Sequence, residues 1–459
     1  MSQAVFNAAE LAAATGGYWQ NTPPEDLYFS INTDSRTIQS GECFLAIAGE
    51  RFDGHDFLTK LPAGTVAIAR KDRAVPPELP VLLVTDTIHA YQSIARFHRL
   101  RMKDLQVAAV TGSVGKTSVK EMLRAIFTEA AGADRVLYTI GNTNNQIGVP
   151  QNLLRLDGKI RYAVIEMGTN HHGEIAPLSR CALPDAAIIN TIAACHLEHL
   201  GDLDGVAKEK SAIYSALNPA GCAVYPAECA GKSVIEHATQ KFRCSQFGSS
   251  PEADVSAEYI DGSLNGSRVR LHFRKLDKSC EFSWELTGRH QAANASAAAA
   301  AALALGIAPE VIARGLSNTT LPGKRMNSVS VNGTTWINDA YNANPHSMQS
   351  SLQCIADNTP HDGKLLLVLG DMLELGSSEI SYHEQVLEFV CKKFQAHDYT
   401  LLLLGKRFKA ASEELGLTGI RCFDTLEDIT SAIEQIKAPG MTIFLKSSNS
   451  VGLSRVEPC

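Results

Sequence analysis

The chain contains no window of about 18 uncharged apolar residues, the length that a membrane-spanning helix requires. Its beginning, MSQAVFNAAELAAATGG, lacks the basic leader and long apolar stretch of a signal peptide. The eleven cysteines are scattered, with no CxxC pair and no metal-site spacing, which indicates free thiols in a reducing compartment. No run of Lys and Arg favours nucleic acid, and the net charge is -7. We therefore expect a cytoplasmic protein without a membrane span or a nucleic-acid partner.

The length of 459 residues predicts three domains, because a domain usually holds about 150 residues. A hydrophobic fraction of 45% and a charged fraction of 20% are typical of globular proteins. Changes in the pattern of apolar residues predict boundaries near residues 85 and 320. The predicted domains therefore span residues 1–84, 85–320 and 321–459.

All three predicted domains belong to the α/β class. The first alternates short apolar runs with turn residues and has a helical pattern over residues 6–15. In the second, the strands VAAVTG, YAVIEMG and AAIINTI alternate with helices, which predicts a parallel sheet with functional loops at the strand ends. Residues 254–286 instead alternate apolar and polar side chains, which predicts an antiparallel meander at the sheet edge. Residues 292–304 predict a buried alanine-rich helix. The third repeats the strand–helix pattern.

A glycine-rich loop between a predicted strand and a predicted helix is the strongest single motif. Its glycines let backbone N–H groups surround phosphate oxygens, and the helix N-terminus adds partial positive charge. Lys116 would contact the outer phosphates of a bound nucleotide, and the Thr117 hydroxyl would hold Mg²⁺. Val110 stands where the usual first glycine is expected. The predicted nucleotide-binding loop comprises Gly112, Ser113, Val114, Gly115, Lys116, Thr117 and Ser118.

Ionisable side chains follow the next strands of the predicted sheet. Glu166 is either a metal ligand or a loop carboxylate, and His196 is either a ligand or a structural histidine. Lys208 and Lys210 lie on a predicted helix, where composition alone favours two solvated lysines. In the third domain Asp339 follows a strand, where it would either accept from a ribose hydroxyl or belong to an Asx-rich turn.

Taken together, these segments resemble the Mur ligase family over nearly the whole chain. Within the family they resemble the dipeptide-adding branch more than the branches that add single amino acids. The discriminating motifs are GNTNNQIGVPQNLL at residues 141–154, EMGTNHHGEI at residues 166–175 and DAYNANPHSM at residues 339–348.

The resemblance implies a small N-terminal α/β domain for a UDP-sugar substrate, a central P-loop ATPase domain and a C-terminal Rossmann-like domain. It implies an ATP-dependent ligase that adds D-alanyl-D-alanine to UDP-N-acetylmuramoyl-tripeptide through an acyl phosphate, with Mg²⁺ and only small-molecule partners. Nothing in the sequence requires more than a monomer, so we expect one.

The resemblance also assigns individual residues. Thr117 and Glu166 would hold one magnesium ion, His196 a second, and Lys210 would carry a carbamate formed with CO₂. This changes the interpretation of Lys210, because a carbamate supplies oxygen ligands whereas an ammonium repels Mg²⁺. The UDP-sugar and other substrates would contact Asp34, Ser35, Arg36, Asn142, Asn145, Tyr341 and Asn342. The nucleotide would also contact Asn294, Arg325 and Asp339, and the catalytic set would be Lys116, His196 and Lys210.

One departure from the family pattern concerns the C-terminal Lys-Gly-Ser-Arg motif, which here reads Lys446-Ser447-Ser448-Asn449. Arg455 is a candidate substitute for the missing arginine. Four alternatives stay open at this point: an enzyme like folylpolyglutamate synthase, a ligase for single amino acids, a P-loop switch ATPase and a scaffold without catalysis. The third residue of the tripeptide is not determined by the sequence.

Overall fold

The computed structural model of the protein describes residues 4–49, 52–323 and 325–458. Residues 1–3, 50, 51, 324 and 459, which the predicted domain ranges include, lie outside the described residues. The strands are β1 (Val5–Phe6), β2 (Tyr18–Gln20), β3 (Phe29–Asn32), β4 (Glu42–Leu45), β5 (Val66–Arg70), β6 (Val81–Val84), β7 (Gln106–Thr111), β8 (Val136–Tyr138), β9 (Tyr162–Glu166), β10 (Ala186–Ile189), β11 (Cys222–Pro226), β12 (Arg243–Gly248), β13 (Val255–Ser263), β14 (Gly266–Phe273), β15 (Lys278–Trp284), β16 (Asn327–Val331), β17 (Thr334–Asn338), β18 (Leu365–Gly370), β19 (Tyr399–Leu404), β20 (Arg421–Phe423) and β21 (Thr442–Lys446). The helices are α1 (Ala8–Thr15), α2 (Thr87–Arg101), α3 (Lys116–Ala131), α4 (Gly148–Leu153), α5 (Ile175–Ala182), α6 (Leu197–Leu200), α7 (Leu203–Ser211), α8 (Lys232–Thr239), α9 (Arg289–Ala304), α10 (Pro309–Ser317), α11 (Pro345–Asn358), α12 (Glu379–Lys393), α13 (Lys406–Glu414) and α14 (Leu426–Ile436).

The first sheet has the strand order β1-β3-β4-β5-β6-β2, parallel from β3 to β6 and antiparallel at both edges. The helix predicted from residue 6 begins at Ala8, because Asn7 caps it. The Asn7 side chain accepts from the Glu10 N–H, while the Glu10 carboxylate accepts from the Asn7 N–H. This reciprocal capping satisfies two N–H groups that a helix start leaves unpaired.

The middle sheet has the order β15-β14-β13-β12-β11-β10-β7-β9-β8 and is parallel from β8 to β13. The predicted antiparallel meander is confirmed as β13, β14 and β15 at one edge. The predicted alanine-rich helix is also confirmed, because α9 is buried through most of its length. The small side chains of α9 let it approach the sheet and α3 closely.

The third sheet has the order β16-β17-β21-β18-β19-β20, with β16 antiparallel at the edge and the other strands parallel. The three-domain α/β fold predicted from the sequence is thus confirmed. Edge strand β16 was not predicted, because its sequence NSVSV has few apolar residues.

The first two sheets share one core, whereas the third sheet has its own. A single cluster of buried apolar residues runs from Phe6 through Ile94 on α2 to Ile165 on β9. Two further clusters lie on the two faces of the third sheet. The predicted boundaries near residues 85 and 320 stay predictions, since the shared core leaves no gap at the first of them.

Within the described residues, no helix combines the length and the apolar character needed to cross a membrane. The ten cysteines among the described residues are all free thiols.

Gly315 allows α10 to pack closely against the backbone of α3. A Cβ atom built on Gly315 would lie 2.5 Å from Ile126 Cα, a backbone atom that cannot give way easily. We expect Gly315→Ala to lower stability by about 1–3 kcal/mol through overpacking, although Ala alone would favour a helix by about 1 kcal/mol. Thermal unfolding measures the change. Gly158→Ala is the matched control, because its Cβ would have no atom within 4 Å, and an equal or higher melting temperature for Gly315→Ala would contradict the packing argument.

Candidate active site

The glycine-rich loop joins β7 to α3, as the sequence predicts. Gly115 has a φ of 79° and Gly112 a φ of 152°, backbone conformations that favour glycine. Lys116 Nζ donates to the Gly112 carbonyl oxygen at 2.7 Å, so the side chain folds back over the loop. Val110, where a glycine is usual, is fully buried within β7. The strand therefore continues through that position, and the turn begins two residues later.

An asparagine after β10 supports the loop from behind. The Asn190 side chain donates to the Val114 carbonyl at 3.0 Å and to Asn294 Oδ1 at 2.8 Å. A Cβ atom on Gly115 would lie 2.2 Å from Asn190 Nδ2, so only glycine fits there. Ser113 Oγ adds a further bond, donating to the Ala193 carbonyl at 2.9 Å. These hydrogen bonds hold the loop in this shape.

Glu166 ends β9, the strand beside β7, and its side chain is incompletely bonded. The residue is 3% exposed. Its Oε1 atom accepts from Asn144 Nδ2 at 2.9 Å, while Oε2 is buried without a hydrogen-bond partner. A buried carboxylate oxygen without a partner is costly unless a cation or donor meets it. Since Thr117 lines the same cavity, these oxygens fit Mg²⁺, which prefers oxygen ligands and keeps several waters.

The described part of the chain contains no group of three or more His, Cys, Asp and Glu side chains placed to hold a metal. A magnesium site here would therefore need the Thr117 hydroxyl, substrate oxygens or a modified Lys210 in addition to Glu166. The ligand set that the family resemblance implies, which is Thr117, Glu166, His196 and Lys210, stays a prediction.

Lys210 is not the solvated lysine that composition alone predicts, and that interpretation was wrong. The residue is 1% exposed, whereas its neighbour Lys208 is exposed. Burial is the main cause that lowers the pKa of Lys210 to about 8, and the positive charge of Lys116 contributes to the lowering. The two lysines therefore lie close enough to interact, and a substantial fraction of the Lys210 amine is neutral near pH 8.

His196 connects the middle and third domains. It precedes α6 with a φ of 51°, and its Nδ1 atom lies 2.5 Å from Glu374 Oε2. This hydrogen bond is the main cause of a lowered pKa at Glu374, and part of the effect is screened because half of the Glu374 side chain is exposed.

A second contact between the domains brings an arginine to the phosphate loop. Arg325 donates from Nη2 to Thr117 Oγ1 at 3.3 Å, and its guanidinium carbon lies 3.9 Å from the centre of the Tyr341 ring. The third domain is thus docked on the phosphate loop in this structure.

Asp339 follows β17 and is fully engaged by its own domain. Its Oδ2 atom lies 2.5 Å from Lys446 Nζ and accepts from Ser351 Oγ at 2.6 Å. Its Oδ1 atom accepts from the Met326 N–H at 3.1 Å. Contact of Asp339 with a ribose stays a prediction, and both carboxylate oxygens already have donors.

The segment that departs from the family pattern has a structural role. Ser448 Oγ donates to the Ala343 carbonyl at 3.3 Å and accepts from the Leu373 N–H at 3.0 Å. Asn449 Nδ2 donates to the Tyr341 carbonyl at 3.0 Å. Serine and asparagine therefore tie together the loops that follow β17 and β18. Arg455 is exposed at the end of a 3₁₀ turn and does not line the cavity, so the structure does not support it as a substitute.

These groups surround a cavity of about 1860 Å³ between the middle and third domains. The sequence-predicted residues that line it are Ser113, Val114, Gly115, Lys116, Thr117, Ser118, Asn142, Asn145, Glu166, His196, Asn294, Arg325, Asp339, Tyr341 and Asn342. Gly112 and Lys210 are buried and do not line the cavity, and residues 34–36 lie in the first domain and do not line it either.

The residues expected to hold the UDP-sugar lie after β3. Arg36 forms a bidentate ion pair with Asp34, and hydrogen bonds from Arg36 lower the pKa of Asp34 to about 2. The Arg36 side chain is largely exposed, so it remains accessible to a ligand at the surface of the first domain.

Sequence reasoning missed three residues of the site: Asn144, Asn190 and Glu374. Asn144 lies inside the GNTNNQIG motif and could have been chosen beside its neighbours. Asn190 follows a predicted strand, so its position at the sheet edge was a usable signal. Glu374 offered no local signal, because its partner is 178 residues away.

Three family models match the chain. They are described as "Mur ligase family, catalytic domain" at residues 28–113, "Mur ligase middle domain" at residues 110–302 and "Mur ligase, glutamate ligase domain" at residues 324–449.

Curated relatives match over nearly the full length. The UDP-N-acetylmuramoyl-tripeptide–D-alanyl-D-alanine ligase of Escherichia coli (strain K12) is 36% identical, covering 93% of this chain and 92% of the relative. The enzyme of the same name from Bacillus subtilis (strain 168) is 32% identical, covering 99% and 98%. The crystal structure of MurF from Acinetobacter baumannii is similar with a TM-score of 0.90 at 32% identity, covering 99% of this chain and 98% of that one.

Asn190→Ala tests the support of the phosphate loop. The change leaves the Val114 carbonyl and Asn294 Oδ1 without this donor, so we expect a stability loss of about 1–3 kcal/mol. Because the loop is no longer held in shape, we also expect ADP to bind about tenfold more weakly by calorimetry, equivalent to about 1.4 kcal/mol. Asn218→Ala is the control, since it removes an amide from a turn at the other end of the sheet. Unchanged ADP affinity in Asn190→Ala would contradict the role given to Asn190.

Proposed function

The chain belongs to the Mur ligase family, and we propose that it is the ATP-dependent ligase that joins D-alanyl-D-alanine to UDP-N-acetylmuramoyl-tripeptide in peptidoglycan precursor synthesis. One observation carries the proposal: the phosphate loop and the three discriminating motifs, at residues 141–154, 166–175 and 339–348, line the same cavity. Relatives of that name match the chain over nearly its whole length.

The reaction begins with the terminal carboxylate of the tripeptide. A carboxylate oxygen attacks the γ-phosphorus of ATP, the bond from that phosphorus to the bridging oxygen breaks, and ADP leaves. The approach of two anions requires positive charge, which Lys116 and the N-terminus of α3 supply at the phosphate loop. Arg325 reaches the loop from the third domain and adds a further positive charge.

The acyl phosphate then reacts with the amine of D-alanyl-D-alanine. The nitrogen attacks the carbonyl carbon, the tetrahedral intermediate loses phosphate, and the nitrogen releases a proton to give the amide. No side-chain nucleophile takes part, so catalysis consists of orientation, electrostatic stabilisation and exclusion of water. The docked third domain would help to exclude water, which would otherwise hydrolyse the acyl phosphate.

Thr117 and Glu166 would hold one magnesium ion and His196 a second, and the carbamate of Lys210 would supply further oxygen ligands. When bound, magnesium would neutralise negative charge on the phosphate oxygens. The unpartnered Oε2 of Glu166 supports this assignment.

The remaining assignments extend the proposal to each domain. Residues 1–84 would bind the UDP-sugar through Asp34, Ser35 and Arg36, residues 85–320 would bind ATP, and residues 321–459 would close on the nucleotide. Asn294 would contact adenine, while Asn142, Asn145, Tyr341 and Asn342 would contact the other substrates. A monomeric state and a cytoplasmic location complete the proposal.

The test is phosphate release from ATP with UDP-N-acetylmuramoyl-tripeptide, with and without D-alanyl-D-alanine, and the product mass. We expect release only with both substrates and a product enlarged by the dipeptide. Lys116→Ala should lower the rate about 100-fold or more, because a preorganised positive group at the phosphates is lost. Phosphate release that requires single amino acids, or glutamate, in place of the dipeptide would assign the chain to another branch of the family. Phosphate release that does not depend on either substrate would favour a switch ATPase.

Carbamylation of Lys210 requires its neutral amine. The nitrogen attacks CO₂, a nitrogen–carbon bond forms, and a proton is released. Because burial lowers the pKa of Lys210 from 10.5 to about 8, the neutral amine is far more abundant at neutral pH than on a solvated lysine. The carbamate would also replace a buried ammonium beside Lys116 with a negative group, which removes a repulsion.

Lys210→Ala should lose most activity and partly recover it with short carboxylates such as formate. In wild type, CO₂-depleted buffer should lower activity and bicarbonate should restore it. At a fixed concentration of dissolved CO₂, restoration should quicken as pH rises towards about 8, where the ammonium of Lys210 loses its proton, and change little above it. Lys208→Ala is the matched control, since Lys208 is exposed on the same helix. Rescue of Lys210→Ala by neutral amides as effectively as by carboxylates would refute the carbamate.

A further inference from the structure

A carboxylate of the third domain meets a histidine of the middle domain at the edge of the cavity. Glu374 Oε2 lies 2.5 Å from His196 Nδ1. We propose that Glu374 is a positioning residue, which fixes the ring proton of His196 on Nδ1 when the third domain is docked and so leaves Nε2 with the free lone pair. The inference rests on the proposed function, in which His196 would hold magnesium.

The chemistry of the two side chains determines the position of the proton. A neutral imidazole has one donor nitrogen and one acceptor nitrogen, whereas an ionised carboxylate only accepts. Nδ1 of His196 must therefore carry the proton, and it donates a hydrogen bond to the Glu374 carboxylate. Histidines that bind metals usually donate their other N–H to a carboxylate or carbonyl in this way. The carboxylate here comes from a different domain.

Backbone conformation holds both residues in place. His196 has a φ of 51° and Glu374 a φ of 63°, left-handed values that residues other than glycine seldom adopt. Such conformations persist where the surrounding structure imposes them, and they are common at functional sites.

The segment before Glu374 is anchored within the third domain. The Met372 N–H donates to His383 Nε2 at 2.9 Å, and the Leu373 N–H donates to Ser448 Oγ at 3.0 Å. His383 in turn contacts the Glu379 carbonyl through Nδ1 at 2.6 Å, so its tautomer is fixed as well. These bonds tie the loop after β18 to the body of its domain.

The segment after Glu374 lies against α6 of the middle domain. Leu375 is buried, and a Cβ atom on Gly376 would lie 3.5 Å from the backbone nitrogen of Glu198. The loop therefore meets the segment that follows His196 at close range just after Glu374. Docking of the third domain brings the carboxylate to His196, and undocking removes it.

The first test compares Glu374→Ala with Glu374→Gln by NMR of protein labelled with ¹⁵N in its histidine rings. His196→Gln identifies the signal among the fourteen histidines. In wild type we expect the Nδ1–H form of His196. Glu374→Ala should shift the signal towards the Nε2–H form that free side chains favour, while Glu374→Gln should largely keep the wild-type form, because its amide oxygen still accepts.

The second test measures the magnesium concentration that gives half-maximal phosphate release. We expect it to rise about 10- to 100-fold in Glu374→Ala and less in Glu374→Gln. Glu388→Gln is the control, because it removes the same charge from the exposed face of α12. Circular dichroism would establish that the variants are folded.

An Nε2–H form in wild type, or an unchanged ring signal in Glu374→Ala, would overturn the inference even if activity falls. A wild-type protein that shows no release dependent on D-alanyl-D-alanine would instead overturn the proposed function, and the ring signals would still report the position of the proton.

Discussion

The parallel pairing of three central strands determines where every group of the site lies. In the order β10-β7-β9, Val110 pairs with Glu166 and Thr111 pairs with Ile189. The phosphate loop, the unpartnered carboxylate and the segment with Asn190 therefore leave the sheet side by side. A slip of one residue between β7 and β9 would turn the Glu166 side chain to the opposite face of the sheet. The same slip between β7 and β10 would move Asn190 away from the phosphate loop. The chemistry depends on hydrogen bonds between buried backbones more than on any surface contact.

The third domain completes the site through weaker contacts. Arg325 to Thr117 and Glu374 to His196 are polar contacts between partly exposed groups, which contribute about 0–1 kcal/mol each in favourable cases. Leu264, at the turn between β13 and β14, adds apolar contact with the core of the third sheet. Contacts of this strength can form and break during a catalytic cycle, whereas the core shared by the first two sheets cannot.

Local patterns in the sequence were enough to predict the fold class, the phosphate loop and the antiparallel meander, because each depends on neighbouring residues. The burial of Lys210 was not predictable from composition, since it depends on which face of α7 meets the sheet. The contact of Glu374 with His196 requires two domains to dock, and edge strand β16 forms only because β17 lies beside it. The resemblance to the family supplied the role of Lys210 but not its surroundings.

The distribution of apolar cores also bears on how the chain can be divided. Because Phe6, Ile94 and Ile165 belong to one cluster, removing the first domain would expose apolar surface on the middle one. The third sheet is covered on both faces by its own side chains. In terms of protein engineering, a cut near residue 320 separates two self-contained modules, whereas residues before it behave as one indivisible unit. Grafting a C-terminal domain from a relative is thus more feasible than exchanging the N-terminal one.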